Sequence, residues 1–194
     1  AERLTVATKT DGTLWAWGTN VDGGLGLNDI VKRSSPTQIP GTTWSNSFSG
    51  VNWSAAIKTD GTLWMWGENG QGELGQGNTT QYSSPVQIPG TTWRTASGGS
   101  PGSHMLATKT DGTLWSWGNN EQGGLGHNNV TDYSSPKQIP GTSWSSLVAS
   151  GSYNSFFSRT DGTLWGVGRN HGDSRGALAQ NNNTEYSSPV QIPG

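Results

Sequence analysis

The sequence predicts an all-β fold, a β-propeller built from four-stranded blades with four repeat units present. Three observations lead there. The phrase "TDGTLWAWGTN" at Thr10 returns in near-copy at Thr59, Thr110 and Thr160, a spacing of about 50 residues. A second phrase, "SSPTQIPG" at Ser34, keeps the same phase at Ser83, Ser134 and Ser187. The composition joins 30 Gly to 11 Trp and contains no Cys, so many tight turns surround a core made of indoles.

Each element of the unit follows from local chemistry. "TVATKTDGTLWAWG" reads as a hairpin, because Asp-Gly favours a tight turn with positive φ at both central residues and the flanks are β-formers. Residues two apart in a strand share a face, so Trp15 and Trp17 point one way, as do Trp64 and Trp66, and Trp115 and Trp117. In the fourth unit the pair is Trp165 and Val167. Leu14, Leu63, Leu114 and Leu164 take the other face. A strand apolar on both faces belongs between two packed layers. These seven Trp are therefore the expected structural core. Further on, "GLG", "ELG", "GLG" and "ALA" set a Leu between small residues where backbones come close. The prolines of "SSP" and "IPG" suit short outer strands and turns. One unit cannot bury both faces of its central strand, so the units must stack. Their approximate limits are 1–41, 42–90, 91–141 and 142–194, within one domain.

"WGTNVDGGLG" and its counterparts at Trp66 and Trp117, repeated at this period, resemble the repeats of the regulator of chromosome condensation family of β-propellers. The fourth copy departs, with Val167 for Trp, extra residues around "HGDSRG", and Ala179 for the last Gly. The resemblance implies a propeller that usually has seven blades and binds protein partners through loops on one face. Such relatives range from exchange factors of small GTPases to inhibitors of β-lactamase, and no motif of either activity is matched here. Four units leave three readings: a partial propeller, half of an oligomeric ring, or a small closed propeller. Near-identity of the units would make assembly between chains easy.

No catalytic residue is expected. His104, His127 and His171 fall at different places in their units, without metal-ligand spacing, and each Asp of the Asp-Gly pairs is explained by its turn. No enzyme activity, no metal and no cofactor are predicted. The units differ most between the "LG" step and "SSP", where Tyr82, Tyr133 and Tyr186 recur and Arg33 replaces the first. Tyr is favoured at interfaces. The insertion "RNHGDSRG" gathers Arg169, His171, Asp173 and Arg175. These eight residues are the candidate binding set.

The function predicted is a non-catalytic protein-binding scaffold. A lectin-like glycan-binding propeller or a structural self-assembly module, homo-oligomeric at a virion or cell surface, are the alternatives. Net charge is −2 and the basic residues are scattered, which gives no footprint for nucleic acid. No apolar run is long enough to span a membrane. The uncharged, Cys-free, Asn- and Thr-rich composition favours an extracellular or virion-surface location over the cytoplasm.

Overall fold

The computed structural model describes residues 4–99, 104–171 and 176–194. They form four antiparallel sheets with no helix among the described residues. Blade 1 consists of β1 (Leu4–Thr8), β2 (Leu14–Gly18) and β3 (Arg33–Ile39). Blade 2 holds β4 (Trp44–Ser49), β5 (Trp53–Lys58), β6 (Leu63–Gly67) and β7 (Tyr82–Gln87). Blade 3 holds β8 (Trp93–Gly98), β9 (His104–Lys109), β10 (Leu114–Gly118) and β11 (Tyr133–Ile139). Blade 4 holds β12 (Trp144–Ser150), β13 (Asn154–Arg159), β14 (Leu164–Gly168) and β15 (Tyr186–Gln191). Strands pair in chain order within each sheet. Blades meet through their first strands: β4 packs on β1 and β8, and β12 on β8 and β9. The predicted all-β blade architecture is what the chain adopts.

The repeated phrase is one hydrogen-bonded device. Trp15 Nε1 donates to Thr13 Oγ1 at 2.9 Å, and Thr13 Oγ1 donates to Asp11 Oδ1 at 2.6 Å. The Thr13 N–H donates to the same carboxylate oxygen at 3.0 Å. The chain recurs through Trp64, Thr62 and Asp60, through Trp115, Thr113 and Asp111, and through Trp165, Thr163 and Asp161. Donation from the threonine hydroxyl and N–H holds all four carboxyls below the usual aspartate range. So "DGTLW" is copied because each of Asp, Thr and Trp completes the next.

The turn itself differs from the expectation. Only the glycines take positive φ, +81° at Gly12 and +78° at Gly61, and the preceding Asp does not. The Gly12 N–H donates to Lys9 O, and the Lys9 N–H to Thr13 O, which makes a three-residue loop with glycine in the left-handed position. The reason is the Asp side chain. It accepts from the backbone two residues on, which fixes Asp in an ordinary right-handed turn geometry. The turn also reaches the next blade: the Trp44, Trp93 and Trp144 N–H groups donate to Gly12, Gly61 and Gly112 O.

Between blades the second Trp of each pair is a knob. Trp66 and Trp117 are fully buried. Trp66 Nε1 donates to Gly24 O at 2.9 Å and Trp117 Nε1 to Glu73 O at 2.8 Å, both in the preceding blade. Val167, also buried, offers no donor at the third junction, where Ser155 Oγ alone donates to Gly124 O, as Ser54 Oγ does to Gly24 O beside Trp66 at the first. In blades 2 to 4, Trp64, Trp115 and Trp165 pack edge-on against the Trp that opens the first strand. Centroids lie 6.2 Å apart for Trp44 and Trp64 and 6.1 Å for Trp93 and Trp115. A cation covers each such pair: Lys58, Lys109 and Arg159 lie over both rings of theirs.

The hydrogen-bonded phrase can be weighed by one methyl-for-hydroxyl exchange. Thr113→Val keeps the volume but strands the Trp115 N–H and removes a donor from Asp111. Urea unfolding should show a loss of about 1–2 kcal/mol, with Thr113→Ser retaining nearly all of it.

Candidate functional site

The loops between the second and third strand of each hairpin-and-edge set are where the units differ, and each is hung on one buried Asn. Asn20 Oδ1 accepts from the Leu25 N–H at 2.9 Å, while its Nδ2 donates to Asp29 O and Val31 O. Asn69 and Asn120 repeat the whole pattern, and Asn170 accepts from the Leu178 N–H and donates to Asn182 O. A side chain with both acceptor and donors is required, because the loop presents an N–H and carbonyls to the same buried point. Sequence reasoning did not single these residues out. The signal was an Asn three residues after Trp17, Trp66 and Trp117, and after Val167.

The residues expected to bind are spread around the arc. Tyr82, Tyr133 and Tyr186 open the outer strands of three blades, half-buried, and each hydroxyl accepts from its own loop: Asn78 Nδ2 at 3.2 Å, Asn129 at 3.0 Å and Asn182 at 3.0 Å. Arg33 does the corresponding work through an ion pair with Asp29 at 2.6 Å. The four are loop braces in separate blades, and the structure does not bring them together. In the fourth loop, Arg169 lies over the Tyr153 ring at 5.5 Å and His171 pairs with Glu185 at 2.8 Å. Asp173 and Arg175 lie outside the described residues.

Two concave places on the described surface sit at blade junctions and are built alike. The cleft between blades 1 and 2, about 250 Å³, is lined by Leu27, Asn28, Trp44, Lys58, Trp64 and Pro85. The cleft between blades 3 and 4, about 410 Å³, has His127, Asn128, Trp144, Arg159, Trp165 and Pro189 in the matching places and adds Lys137. No carboxylate lines either one. The second cleft is the more cationic because Lys137 stands where Thr37 stands in the first unit, and His127 takes the place of Leu27. Lys137 Nζ donates to the Tyr133 hydroxyl at 2.7 Å, which with Asn129 holds that phenol below its usual range.

His127 is neutral in this setting. Burial, then the Lys137 charge, pulls it down to about 4, with the Ser116 hydrogen bond opposing. Ser116 Oγ gives its hydrogen to Leu125 O at 2.7 Å, so the 2.9 Å contact to His127 Nε2 has the imidazole as donor. Glu73 is the one buried carboxyl among the described residues. Desolvation raises it, and it accepts from the Gln71 N–H beside no nucleophile or base that the structure records. Among the described residues no group of three or more His, Asp or Glu is placed to hold a metal ion, and no helix is long and apolar enough to cross a membrane.

Blades of three or four antiparallel strands, stacked through buried knobs and carrying variable loops on a fixed frame, define a repeat propeller. The regulator of chromosome condensation (RCC1) repeat model matches residues 11–57, 60–104 and 111–158. The chain belongs to that family. Over 47 residues, 24% of this chain, it is 43% identical to human protein RCC2, of which that stretch is 9%. The matched stretch thus spans about a tenth of these relatives. Among solved structures, yeast RCC1 (Prp20) bound to Kap60 superposes on 99% of this chain with TM-score 0.84 and 19% identity. Only 47% of the yeast chain is used. Prp20p of Saccharomyces cerevisiae, studied for its binding to Gsp1p and histones, gives 0.81 over 99% of this chain and 49% of its own. The four blades are therefore curved as about half of such a ring.

This company overturns the expected extracellular or virion-surface location. The relatives are RCC1 and RCC2 proteins, one of them studied with histones, which are intracellular. A low count of charges and cysteines reflects a frame built from Gly, Trp and short polar loop residues, and carries no address.

His127 supplies a pH test. Its folded value lies below the unfolded value near 6.5, so its contribution is fully present above pH 6.5 and is lost as pH falls toward 4. Because the ring is half-exposed, the loss should be about 1 kcal/mol, well below the full linkage value. His127→Gln, which puts in the residue that Gln76 and Gln180 provide in other units, should flatten that part of the stability–pH curve. Denaturant midpoints between pH 7 and pH 4 would reveal it.

Proposed function

We propose that this chain is a non-catalytic protein-binding scaffold that takes acidic partner segments at its inter-blade clefts. The observation that carries this reading is the cleft between blades 3 and 4. Lys137 and Arg159 line it with no carboxylate, the neutral His127 completes a wall, and Trp165 supplies an apolar side. An acidic side chain entering there meets two cations in a concave, partly desolvated place, where charge complementarity sets partner choice more than raw area does. Membership of a family whose propellers bind proteins agrees with it. Yeast Prp20 is seen bound to Kap60, and Prp20p was studied with Gsp1p and histones.

A glycan-binding role has less support. Pyranose stacking needs a bare indole face, and the half-buried rings of Trp15, Trp64, Trp115 and Trp165 already carry Lys9, Lys58, Lys109 and Arg159.

The test is a titration of the whole chain with a Trp-free Glu-rich peptide, followed by Trp fluorescence at low and physiological salt. Binding should weaken with salt and by at least about fivefold in Lys137→Glu, since each 1.4 kcal/mol is tenfold. Equal binding of the Glu-rich peptide and its Gln-rich counterpart, or of the wild type and the variant, would sink the reading.

A further inference from the structure

The far side of blade 4 carries a bare version of the surface that every other blade uses to hold its successor. Leu14, Leu63 and Leu114 are 0% exposed beneath the following blade, whereas Leu164 is 45% exposed. Ile39, Ile88 and Ile139 are fully buried, and their counterpart Ile192 is half-exposed. Phe156 and Gly166 pair at the centre of this face, where the earlier blades pair Val6 with Ala16, Ala55 with Met65 and Leu106 with Ser116. The face is apolar and continuous with three interfaces of known construction.

Those three interfaces show what decides the fit. At Gly26 a Cβ would lie 2.7 Å from Trp66 Nε1, and at Gly75 a Cβ would lie 2.9 Å from Trp117 Nε1. Any side chain there collides with the knob. At Gly126, where the incoming residue is Val167, the nearest atoms to such a Cβ are Ile139 at 3.4 Å and Pro189 at 3.6 Å, ordinary contact distances. Opposite Trp a Cβ has no room, whereas opposite Val the space is free and only the left-handed φ of +76° at Gly126 favours glycine. The corresponding residue of blade 4 is Ala179, held at φ +52°. By analogy with Gly26 and Gly75, its methyl would crowd the Nε1 of an incoming Trp knob.

We infer that the far face of blade 4 is a docking surface for a further blade of the same repeat that carries a small aliphatic residue, not Trp, at the knob position. A second copy of this chain is the wrong occupant. It would bring Trp17, which is half-exposed on the unpartnered side of blade 1, directly onto Ala179. Ease of assembly between near-identical units is therefore withheld by one methyl group, a specificity device of the kind that excludes a near-cognate partner by a clash.

The experiment appends a fifth blade to the full chain. After Gly194 the repeat continues naturally into a copy of residues 42–90, made once unchanged and once with its Trp66→Val. Amide hydrogen exchange reads whether the added blade docks. The Val-bearing blade should be protected at least about tenfold more than the Trp-bearing one, and Ala179→Gly in the host should raise the Trp-bearing blade to the same level. Equal protection of the two blades in the Ala179 host would overturn the steric rule. Absence of protection in all versions would overturn the docking face itself. Light scattering on the unextended chain adds an independent check: a stable dimer whose Trp17 fluorescence is shielded would also refute the inference.

Discussion

A buried indole N–H must find an acceptor, and most of this fold is the set of answers to that demand. The first Trp of each pair answers locally, with the threonine two residues back and the aspartate behind it. The second answers across the blade junction, with a carbonyl of the neighbour's loop. An unmet donor in either place would cost more than the bond itself contributes. The turn, the glycine beside the knob and the spacing of the two phrases are then no longer independent choices. Trp44, Trp93 and Trp144 show the limit of the rule: their indole Nε1–H groups are buried with no hydrogen-bond partner, in rings whose faces carry Lys58, Lys109 and Arg159.

With the frame fixed by indoles, chemical variety is left to positions the frame does not use. The loop Asn residues keep the loop path constant while the side chains at its exit change from Leu27 to Gln76, His127 and Gln180. Thr37, Val86, Lys137 and Val190 vary in the same way on the outer strands. One cleft becomes more cationic than another on a matching frame. This is how a repeat architecture separates folding from recognition.

Much of the architecture was legible because it rests on period and phase. Asp11, Asp60, Asp111 and Asp161 announce the hairpins, and the W-x-W alternation announces a strand packed on both sides. What the sequence concealed was atomic company. Asp-Gly alone does not tell a two-residue turn from a three-residue one, since that depends on what the Asp carboxylate accepts. The Tyr positions were read as interface residues from their chemistry, and their bonds from Asn78, Asn129 and Asn182 could not be read from it. The clefts draw residues from two units, so no local window contains them. Location was read from composition, which here records the needs of the frame.

Replacement of the third knob by Val167 has a mechanical consequence. In a stack where each unit touches only its neighbours, opening starts at the weakest contact and runs outward from it. The junction of blades 3 and 4 lacks the indole-to-carbonyl bond of the other two and is held by polar contacts spread along it: Ser155 to Gly124, His104 beside Ser155, Arg94 to Trp144 O, Thr95 to Ser146 O and Ser150 to Ser97. The cationic cleft straddles that same seam. A ligand seated in it is in contact with both blades, so occupancy would tie together a joint that has lost its knob.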